Sequence, residues 1–426
     1  MTRNFFACTL LAAVLPLGAA HATSTTINAG GSSLAGPTYI AEFEAYTTAH
    51  PTILFSYEAV GSGDAQIAFL NNQISEFEPP IVTSSTLTYG TIAGTQVDIG
   101  ASDIPLAAAQ LTDAATGSYT ESAADGPLIQ IPTFGAPIAM AFNQSKITGD
   151  ALTLTDAQVC GILSGKITDW HTLVAAIPAG TTIEVVYFSN SSGTTYLTTQ
   201  HLNAVCNSAN SKFPILPVPV TKTFASDFTT TYPVPANFTG ENASAASAAK
   251  LLATPNSFGY LSPDYTSIAP LSANTSTLQV AYLKNATNGK AYLPTYANTL
   301  TGLANPGAGA TNSTAPSTLA EAMDPLNWIP TVPVDKAGYP IVGYGTMELS
   351  SCYASKPAGT DITGFLTNQY TVTSYKTLIK NNGFAPLANT AAAPYLTAVT
   401  DDFLKNISGY NLNIDNATAC AAYHGR

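Results

Sequence analysis

Three segments of this chain repeat one order: an apolar stretch, a short loop of small polar residues, and an amphipathic helix. The loops are residues 32–34, 61–63 and 192–194. A helix that follows a strand returns the chain to the edge where the strand began, so successive strands run parallel and their loops collect at one edge of the sheet. The pattern therefore predicts an α/β protein with parallel or mixed sheets.

A second system of strands and helices begins near residue 131. The apolar run 128–142 is long for one strand, and Pro132 and Pro137 predict two strands with a bend. A β-branched strand at 183–188 then leads into the third loop. Residues from 265 to about 325 are rich in Ser, Thr, Ala and Asn, which predicts an insertion with weak β structure. A chain of 426 residues usually divides into two or more domains.

The N-terminal residues 1–22 have the pattern of a signal peptide. Arg3 gives a short basic region, residues 5–18 form an apolar core too short to span a bilayer comfortably, and Ala20-His21-Ala22 fits the small-x-small cleavage rule. We therefore expect cleavage after Ala22, export to the periplasm or beyond, and no membrane insertion.

Beyond the signal peptide the chain contains the cysteines Cys160, Cys206, Cys352 and Cys420. An even number in an exported chain favours disulfides, and four cysteines allow three connectivities. No Cys-x-x-Cys pair occurs, which argues against a zinc or redox site.

Charged residues make up only 9% of the chain, against roughly 25% in an average domain. The formal net charge is −12, with 14 Lys and Arg. Such a surface does not attract nucleic acid or anionic lipid, so we expect neither as a partner.

The three loops share the chemistry of an anion site. Each places hydroxyls and backbone N–H groups at a helix N-terminus, where the helix dipole favours negative charge by about 0.3–1 kcal/mol. A fourth loop, 100–103, adds the carboxylate of Asp103. Any one of these loops alone is better explained as an ordinary helix or turn cap. Their recurrence in one chain favours an anion-binding site.

Enzyme chemistry finds little support. The histidines beyond the signal peptide do not form a metal-binding motif; they are His50, His171, His201 and His424. No Gly-x-Ser-x-Gly elbow and no phosphate-loop motif occurs. We therefore expect no enzyme activity, no metal and no cofactor.

The order of these motifs resembles that of periplasmic phosphate-binding proteins, the substrate-binding components of phosphate ABC importers. The resemblance covers most of residues 27–206, with a weaker echo at 256–260, and looks closest to the DING-type branch. The segments that carry it are 27–37 (INAGGSSLAGP), 61–63 (GSG), 100–106 (GASDIPL), 129–133 (IQIPT), 162–170 (ILSGKITDW) and 192–195 (SGTT).

This resemblance implies a type II periplasmic binding protein fold: two α/β lobes joined by crossing hinge strands, with phosphate between them. Lobe I would comprise residues 23–130 plus 341–426, and lobe II residues 131–340. It also implies the disulfides Cys160–Cys206 and Cys352–Cys420, a monomer, and an ABC permease as partner.

Carried over by position, the resemblance implies a set of phosphate-binding residues in which Asp103 accepts a hydrogen bond from a protonated phosphate oxygen. The set is Ser33, Leu34, Ser62, Asp103, Ser192, Gly193 and Thr194. The chain departs from the family pattern where Phe188 replaces an Arg and Asn190 replaces its Asp partner. Loss of a charged hydrogen bond is expected to weaken binding by roughly 1.5–3 kcal/mol, or about 10–150-fold.

The sequence therefore favours an exported solute-binding protein for phosphate or a related protonated oxyanion, for ABC-type uptake or scavenging. The alternative is a secreted interaction or biofilm protein of the same fold with a degenerate anion site, which the loss of the Arg and the insertion support. A phosphatase-like activity is a third reading, but the sequence supplies no nucleophile with a base.

Overall fold

The computed structural model describes residues 25–111, 125–148, 151–269, 278–304, 314–332 and 337–426. The predicted signal peptide lies outside these residues, as do the parts 270–277 and 305–313 of the predicted insertion.

Within the described residues the chain forms strands and helices in alternation. The strands are β1 (Thr25–Gly31), β2 (Ile53–Glu58), β3 (Thr88–Tyr89), β4 (Ile99–Ser102), β5 (Leu128–Pro137), β6 (Ala139–Asn143), β7 (Thr153–Leu154), β8 (Glu184–Phe188), β9 (Phe238–Glu241), β10 (Ser257–Leu261), β11 (Gln279–Val280), β12 (Tyr282–Lys284), β13 (Ala291–Tyr292), β14 (Val342–Ser350) and β15 (Ala385–Pro386). The helices are α1 (Gly36–Ala49), α2 (Ser62–Leu70), α3 (Ala108–Leu111), α4 (Asp156–Leu163), α5 (Gly193–Val205), α6 (Ala243–Ala253), α7 (Tyr296–Gly302), α8 (Leu319–Ala322), α9 (Lys356–Thr371), α10 (Thr373–Asn381) and α11 (Ala393–Val399).

Lobe I is built on a seven-stranded mixed sheet of order β15-β5-β14-β4-β1-β2-β3. Strand β1 runs parallel to β2 and β4, whereas β14 runs antiparallel to β4 and β5. Since β1, β2 and β4 are parallel, the loops that follow them meet at one edge of the sheet, as the sequence pattern predicts.

Lobe II is built on a five-stranded mixed sheet of order β11-β6-β10-β8-β9. Strand β8, which precedes the third loop, runs parallel to β9 and β10. Part of the predicted insertion belongs to this body, since β11 pairs with β6 and β12 pairs with β7. The insertion therefore contributes the β structure that its composition suggested.

The chain crosses between the lobes at two adjacent places. The bend between β5 and β6 falls at Ile138, whose N–H donates to Ile341 O at 3.0 Å, and the Tyr339 hydroxyl donates to Ile138 O at 2.6 Å. The predicted pair of strands is thus confirmed, but the break follows Pro137 alone. Pro132 stays within β5, next to a register shift against β14.

The mixed sheets and crossing strands confirm the predicted two-lobe α/β fold. The exact lobe limits near residues 130 and 340 stay a prediction. Helix α7, which the prediction assigns to lobe II, packs against β5 and β15 of lobe I.

Both predicted disulfides are present. Cys160–Cys206 joins α4 to the residue that follows α5. Cys352–Cys420 joins the end of β14 to the C-terminal segment. Among the described residues, no helix has the length and apolar character that crossing a membrane requires.

Candidate functional site

The loops of the two lobes meet around one carboxylate. Asp103 follows β4 and is 1% exposed. Its Oδ2 accepts hydrogen bonds from Ser32 Oγ at 2.5 Å and Ser62 Oγ at 3.0 Å, and its N–H donates to Ser62 Oγ at 3.2 Å. Burial raises the pKa of Asp103 to about 6, while the hydrogen bonds from Ser32 and Ser62 act to lower it.

Helix α5 brings its N-terminus to this carboxylate. Ser192 caps the helix, and its Oγ accepts from Thr195 N–H at 3.2 Å. The N–H groups of the first helical residues, Gly193 and Thr194, have no partner within the helix. We call Ser62, Asp103, Ser192, Gly193 and Thr194 together the cradle.

Glycine at position 193 allows the two lobes to touch. A Cβ there would lie 2.6 Å from Asp103 Oδ2 and 2.5 Å from Ser62 Oγ, closer than real Cβ atoms come to neighbouring atoms. Beside it, Gly63 N–H donates to Ser191 O at 3.1 Å. The third loop therefore rests directly on the loops of lobe I.

Three polar atoms at this contact are buried without a hydrogen-bond partner among the described residues. They are Asp103 Oδ1, Ser191 Oγ and Thr194 Oγ1. Each such atom costs about 1–3 kcal/mol when it is left unpaired. The contact between the lobes thus holds a free acceptor on Asp103 and two free hydroxyls, one on Thr194 of the cradle and one on the neighbouring Ser191. This is the chemistry of a site that binds a polar ligand.

Asn190 and Phe188 contribute no charge to the site. Asn190 bridges the lobes, since its Nδ2 donates to Val60 O at 3.0 Å and its Oδ1 accepts from Ala243 N–H at 3.3 Å. Phe188 is buried, with its ring 5.5 Å from that of Tyr260 between centroids. Phe188 therefore belongs to the hydrophobic core of lobe II.

Two predicted site residues lie apart from the cradle contacts. Ser33 Oγ lies at the lobe interface, where it accepts from Ser244 N–H at 3.1 Å and is hydrogen-bonded to Ser244 Oγ at 3.2 Å. The Leu34 side chain lies in the hydrophobic core. The hydroxyls of Ser33 and Ser244 therefore hold the lobes together.

Sequence reasoning missed two residues of the site. Ser32 makes the shortest contact to Asp103 and stands next to the predicted Ser33, so the serine pair was a usable signal. Lys222 O accepts from Ser192 N–H at 2.8 Å. Burial lowers the pKa of Lys222, while the charge of Asp64 on α2 raises it; no sequence motif marks this lysine.

A cavity of about 290 Å³ adjoins the site, and Asp103 forms part of its wall. The wall also includes Tyr196 and Gln200 of α5 and Tyr344 of β14. Since no other cradle residue lines it, the cavity is a neighbour of the cradle and is separate from it.

Comparisons with known proteins identify the family of this chain. Residues 18–328 match the model of the PBP superfamily domain. The chain is 31% identical to alkaline phosphatase L of Pseudomonas aeruginosa, over 96% of this chain and 98% of that protein. It is 29% identical to a phosphate-binding protein of an unknown prokaryotic organism, over 92% of this chain and 98% of that protein.

Solved structures show the same relationship. A high-affinity periplasmic phosphate-binding protein called PfluDING, solved with phosphate bound, superposes with a TM-score of 0.73 at 30% identity, over 94% of this chain and 99% of that one. A phosphate-binding protein from Stenotrophomonas maltophilia gives a TM-score of 0.72 at 28% identity, over 95% and 100%. The chain belongs to the PBP superfamily and, within it, to the phosphate-binding proteins that include the DING type, which confirms the resemblance seen in the sequence.

Proposed function

We propose that this chain is an exported solute-binding protein that holds phosphate, or a related protonated oxyanion, between its lobes. The observation that carries the proposal is the pair of buried, unpartnered atoms Thr194 Oγ1 and Asp103 Oδ1 beside the N-terminus of α5. Two full-length relatives in solved structures are phosphate-binding proteins, which supports the same ligand.

The cradle offers donors to an anion and one acceptor. The N-termini of α2 and α5 present N–H groups and the positive ends of their dipoles. Asp103 repels an oxyanion unless that anion gives it a hydrogen bond. Phosphate and arsenate carry such a hydrogen at neutral pH and sulfate does not, so Asp103 sets the choice.

Binding requires the lobes to separate and close again. Gly193 lies against Asp103 and Ser62, so a ligand enters the cradle only when the loop of lobe II lifts away. We propose that the lobes move about the residues where the chain crosses between them, at Ile138 and Ile341. We propose Ser62, Asp103, Ser192, Gly193 and Thr194 as the residues that surround the ligand, with Ser33 and the backbone N–H of Leu34 approaching it from the first loop once the lobes separate.

The setting we propose is the periplasm or the cell exterior, where the protein delivers its ligand to an ABC permease or scavenges it. The predicted signal peptide and the two disulfides support an oxidising compartment. The periplasmic relative named above supports the same location.

We further propose that the chain binds phosphate without hydrolysing phosphate esters, although one group of relatives bears the name alkaline phosphatase L. Ser62 Oγ donates to the Asp103 carboxylate, but we propose that this carboxylate accepts the hydrogen of the ligand. None of the contacts given above for the cradle hydroxyls is to a histidine or lysine that would activate a nucleophile. His201, on α5, pairs instead with Asp156 at 3.0 Å. We expect that neither wild type nor Thr194→Val releases p-nitrophenol from p-nitrophenyl phosphate. If wild type hydrolyses this ester and Thr194→Val does not, the protein is an enzyme and this proposal is wrong.

Titration calorimetry tests the binding proposal. Wild type should bind phosphate, in about the micromolar range or weaker, and should not bind sulfate. Asp103→Asn should lose this discrimination, whereas Asp401→Asn, on the C-terminal helical segment, should keep it.

The alternative function is a secreted interaction or biofilm protein with a degenerate anion site. The uncharged Phe188, buried in the core of lobe II, favours it. Absence of phosphate binding at millimolar concentration, together with no phosphate in the protein as purified, would support this alternative.

A further inference from the structure

The cradle has one ionisable side chain and it is negative. Asp103 is a carboxylate, while Ser62, Ser192, Gly193 and Thr194 are neutral. Position 188 is filled by a buried phenylalanine. Both ends of the Asn190 amide are already hydrogen-bonded, Nδ2 to Val60 O and Oδ1 to Ala243 N–H. Any attraction for an anion in this place therefore comes from helix dipoles and neutral donors.

The groups that face Asp103 from neighbouring elements add no fixed positive charge. Burial raises the pKa of Tyr39 on α1, Tyr57 on β2 and Tyr196 on α5, so these tyrosines stay neutral near pH 7. The pKa of Glu348 on β14 is raised to about 8, chiefly by burial and in part by the charge of Asp103, while its hydrogen bond from Thr346 acts to lower it.

Lys222, whose backbone carbonyl accepts from Ser192 N–H, is a cation that already interacts with an acid. Lys222 interacts with Asp64 on α2, whose pKa burial raises to about 6. As pH rises from about 5 to about 9, Asp103, Glu348 and Asp64 lose protons, and the surroundings of the cradle become steadily more negative.

We propose that the cradle selects the singly charged, doubly protonated form of its tetrahedral oxyanion, dihydrogen phosphate, over the doubly charged form. This inference rests on the proposed function. In a buried site without a cation, the second negative charge of the ligand is repelled by Asp103 with little screening from water.

The hydrogen-bonding groups of the cradle match this form of the ligand. Dihydrogen phosphate has two O–H donors and two oxygens that only accept. One O–H donates to Asp103 Oδ1, and the second donates to a hydroxyl oxygen such as Ser191 Oγ. The two remaining oxygens accept from the Thr194 hydroxyl and from the N–H groups that begin α5. The ligand thereby supplies partners for all three buried, unpartnered atoms of the site.

Calorimetry of wild type with inorganic phosphate at constant ionic strength tests the proposal. The dissociation constant at about pH 8.5 should be at least about tenfold higher than at about pH 5.5. Equal or tighter binding at the higher pH would overturn the inference while leaving the proposed function intact. No binding at either pH would overturn the proposed function itself.

A second measurement on wild type needs no variant. At about pH 8 free phosphate is mainly doubly charged, so its capture as the singly charged form takes up about one proton per phosphate bound. Titrations in two buffers of different ionisation enthalpy measure this number. Proton uptake near one supports the proposal, and zero uptake or release contradicts it.

The variant Phe188→Arg with Asn190→Asp introduces a guanidinium together with a partner carboxylate beside the cradle. If it folds, as its thermal transition will show, it should tighten binding more at pH 8.5 than at pH 5.5. An equal gain at both pH values would count against selection by charge.

Discussion

At the scale of single residues, the proposed phosphate site depends strongly on the hydroxyl of Thr194. It is buried at the first turn of α5 and has no partner among the described residues, so a ligand in the cradle is the group that satisfies it. Thr194→Val keeps the shape of the side chain and removes the hydroxyl. We expect phosphate binding about tenfold weaker by calorimetry, the worth of one hydrogen bond.

Thr198→Val is the matched control on the same helix. Thr198 is equally buried, but its Oγ1 donates to Thr194 O at 2.7 Å, within α5. Phosphate affinity should stay within about twofold of wild type in this variant. Equal losses in the two variants would mean that Thr194 acts through the stability of the helix and does not bind the ligand.

The sequence predicted the cradle better than it predicted the contacts between lobes. Ser62, Asp103 and Gly193 each stand in a loop whose strand and helix are recognisable locally, and the structure brings them together. The bond from Ser33 to Ser244 joins residues 211 positions apart. Such a contact depends on how closely two lobes approach, which no local pattern reports.

At the scale of elements, local signals located helices well. Helix α6 spans Ala243–Ala253, and α4 begins at the capping box formed by Thr155 and Gln158. Strand β1 continues through the two glycines Gly30 and Gly31, which strand propensity disfavours, because both pair with β4. Strand ends of this kind are set by pairing with distant strands, and local propensity does not foresee them.

Disulfide Cys160–Cys206 should be a major source of stability for lobe II. It closes a loop of 46 residues, which in the chain-entropy model contributes about 4 kcal/mol. Replacing both cysteines by serine avoids a free thiol, and urea unfolding should then show a free energy of unfolding lower by about that amount.

The pair Cys352–Cys420 provides the comparison, since it closes a loop of 68 residues and should contribute a similar amount. A loss below about 1 kcal/mol in both double variants would show that the bridges do little to restrict the unfolded chain.

At the scale of the whole molecule, buried carboxyl groups should make the protein most stable in acid. Burial raises the pKa of Glu42 and Glu348 to about 8, and that of Asp227 to about 7. A carboxyl whose pKa is higher in the folded state stabilises the fold fully below its ordinary pKa of about 4, and this contribution is lost as pH rises toward the folded pKa. The melting temperature should therefore fall by several degrees between about pH 5 and pH 8.

Glu42→Gln isolates one of these groups. Glu42 Oε2 accepts from Gln369 Nε2 at 2.8 Å, and a glutamine at position 42 can still accept this bond without carrying a charge. The variant should melt near wild type at pH 5 and above it at pH 8. The control Glu44→Gln, on the exposed side of the same helix, should have the melting temperature of wild type at both pH values. A melting temperature of wild type that rises from pH 5 to pH 8 would show that these acids are not protonated in the fold.

The central claim is that a protonated oxyanion lies between the lobes, against Asp103 and the N-terminus of α5. A crystal structure of the protein with arsenate, located by the anomalous scattering of arsenic, tests it most directly. We predict one anomalous peak within hydrogen-bond distance, roughly 2.5–3.2 Å for its oxygens, of Asp103 Oδ1 and Thr194 Oγ1, with Gly193 moved away from Asp103 to admit it. A structure at saturating arsenate in which Gly193 still touches Asp103, and no peak lies in the cradle, would contradict the account.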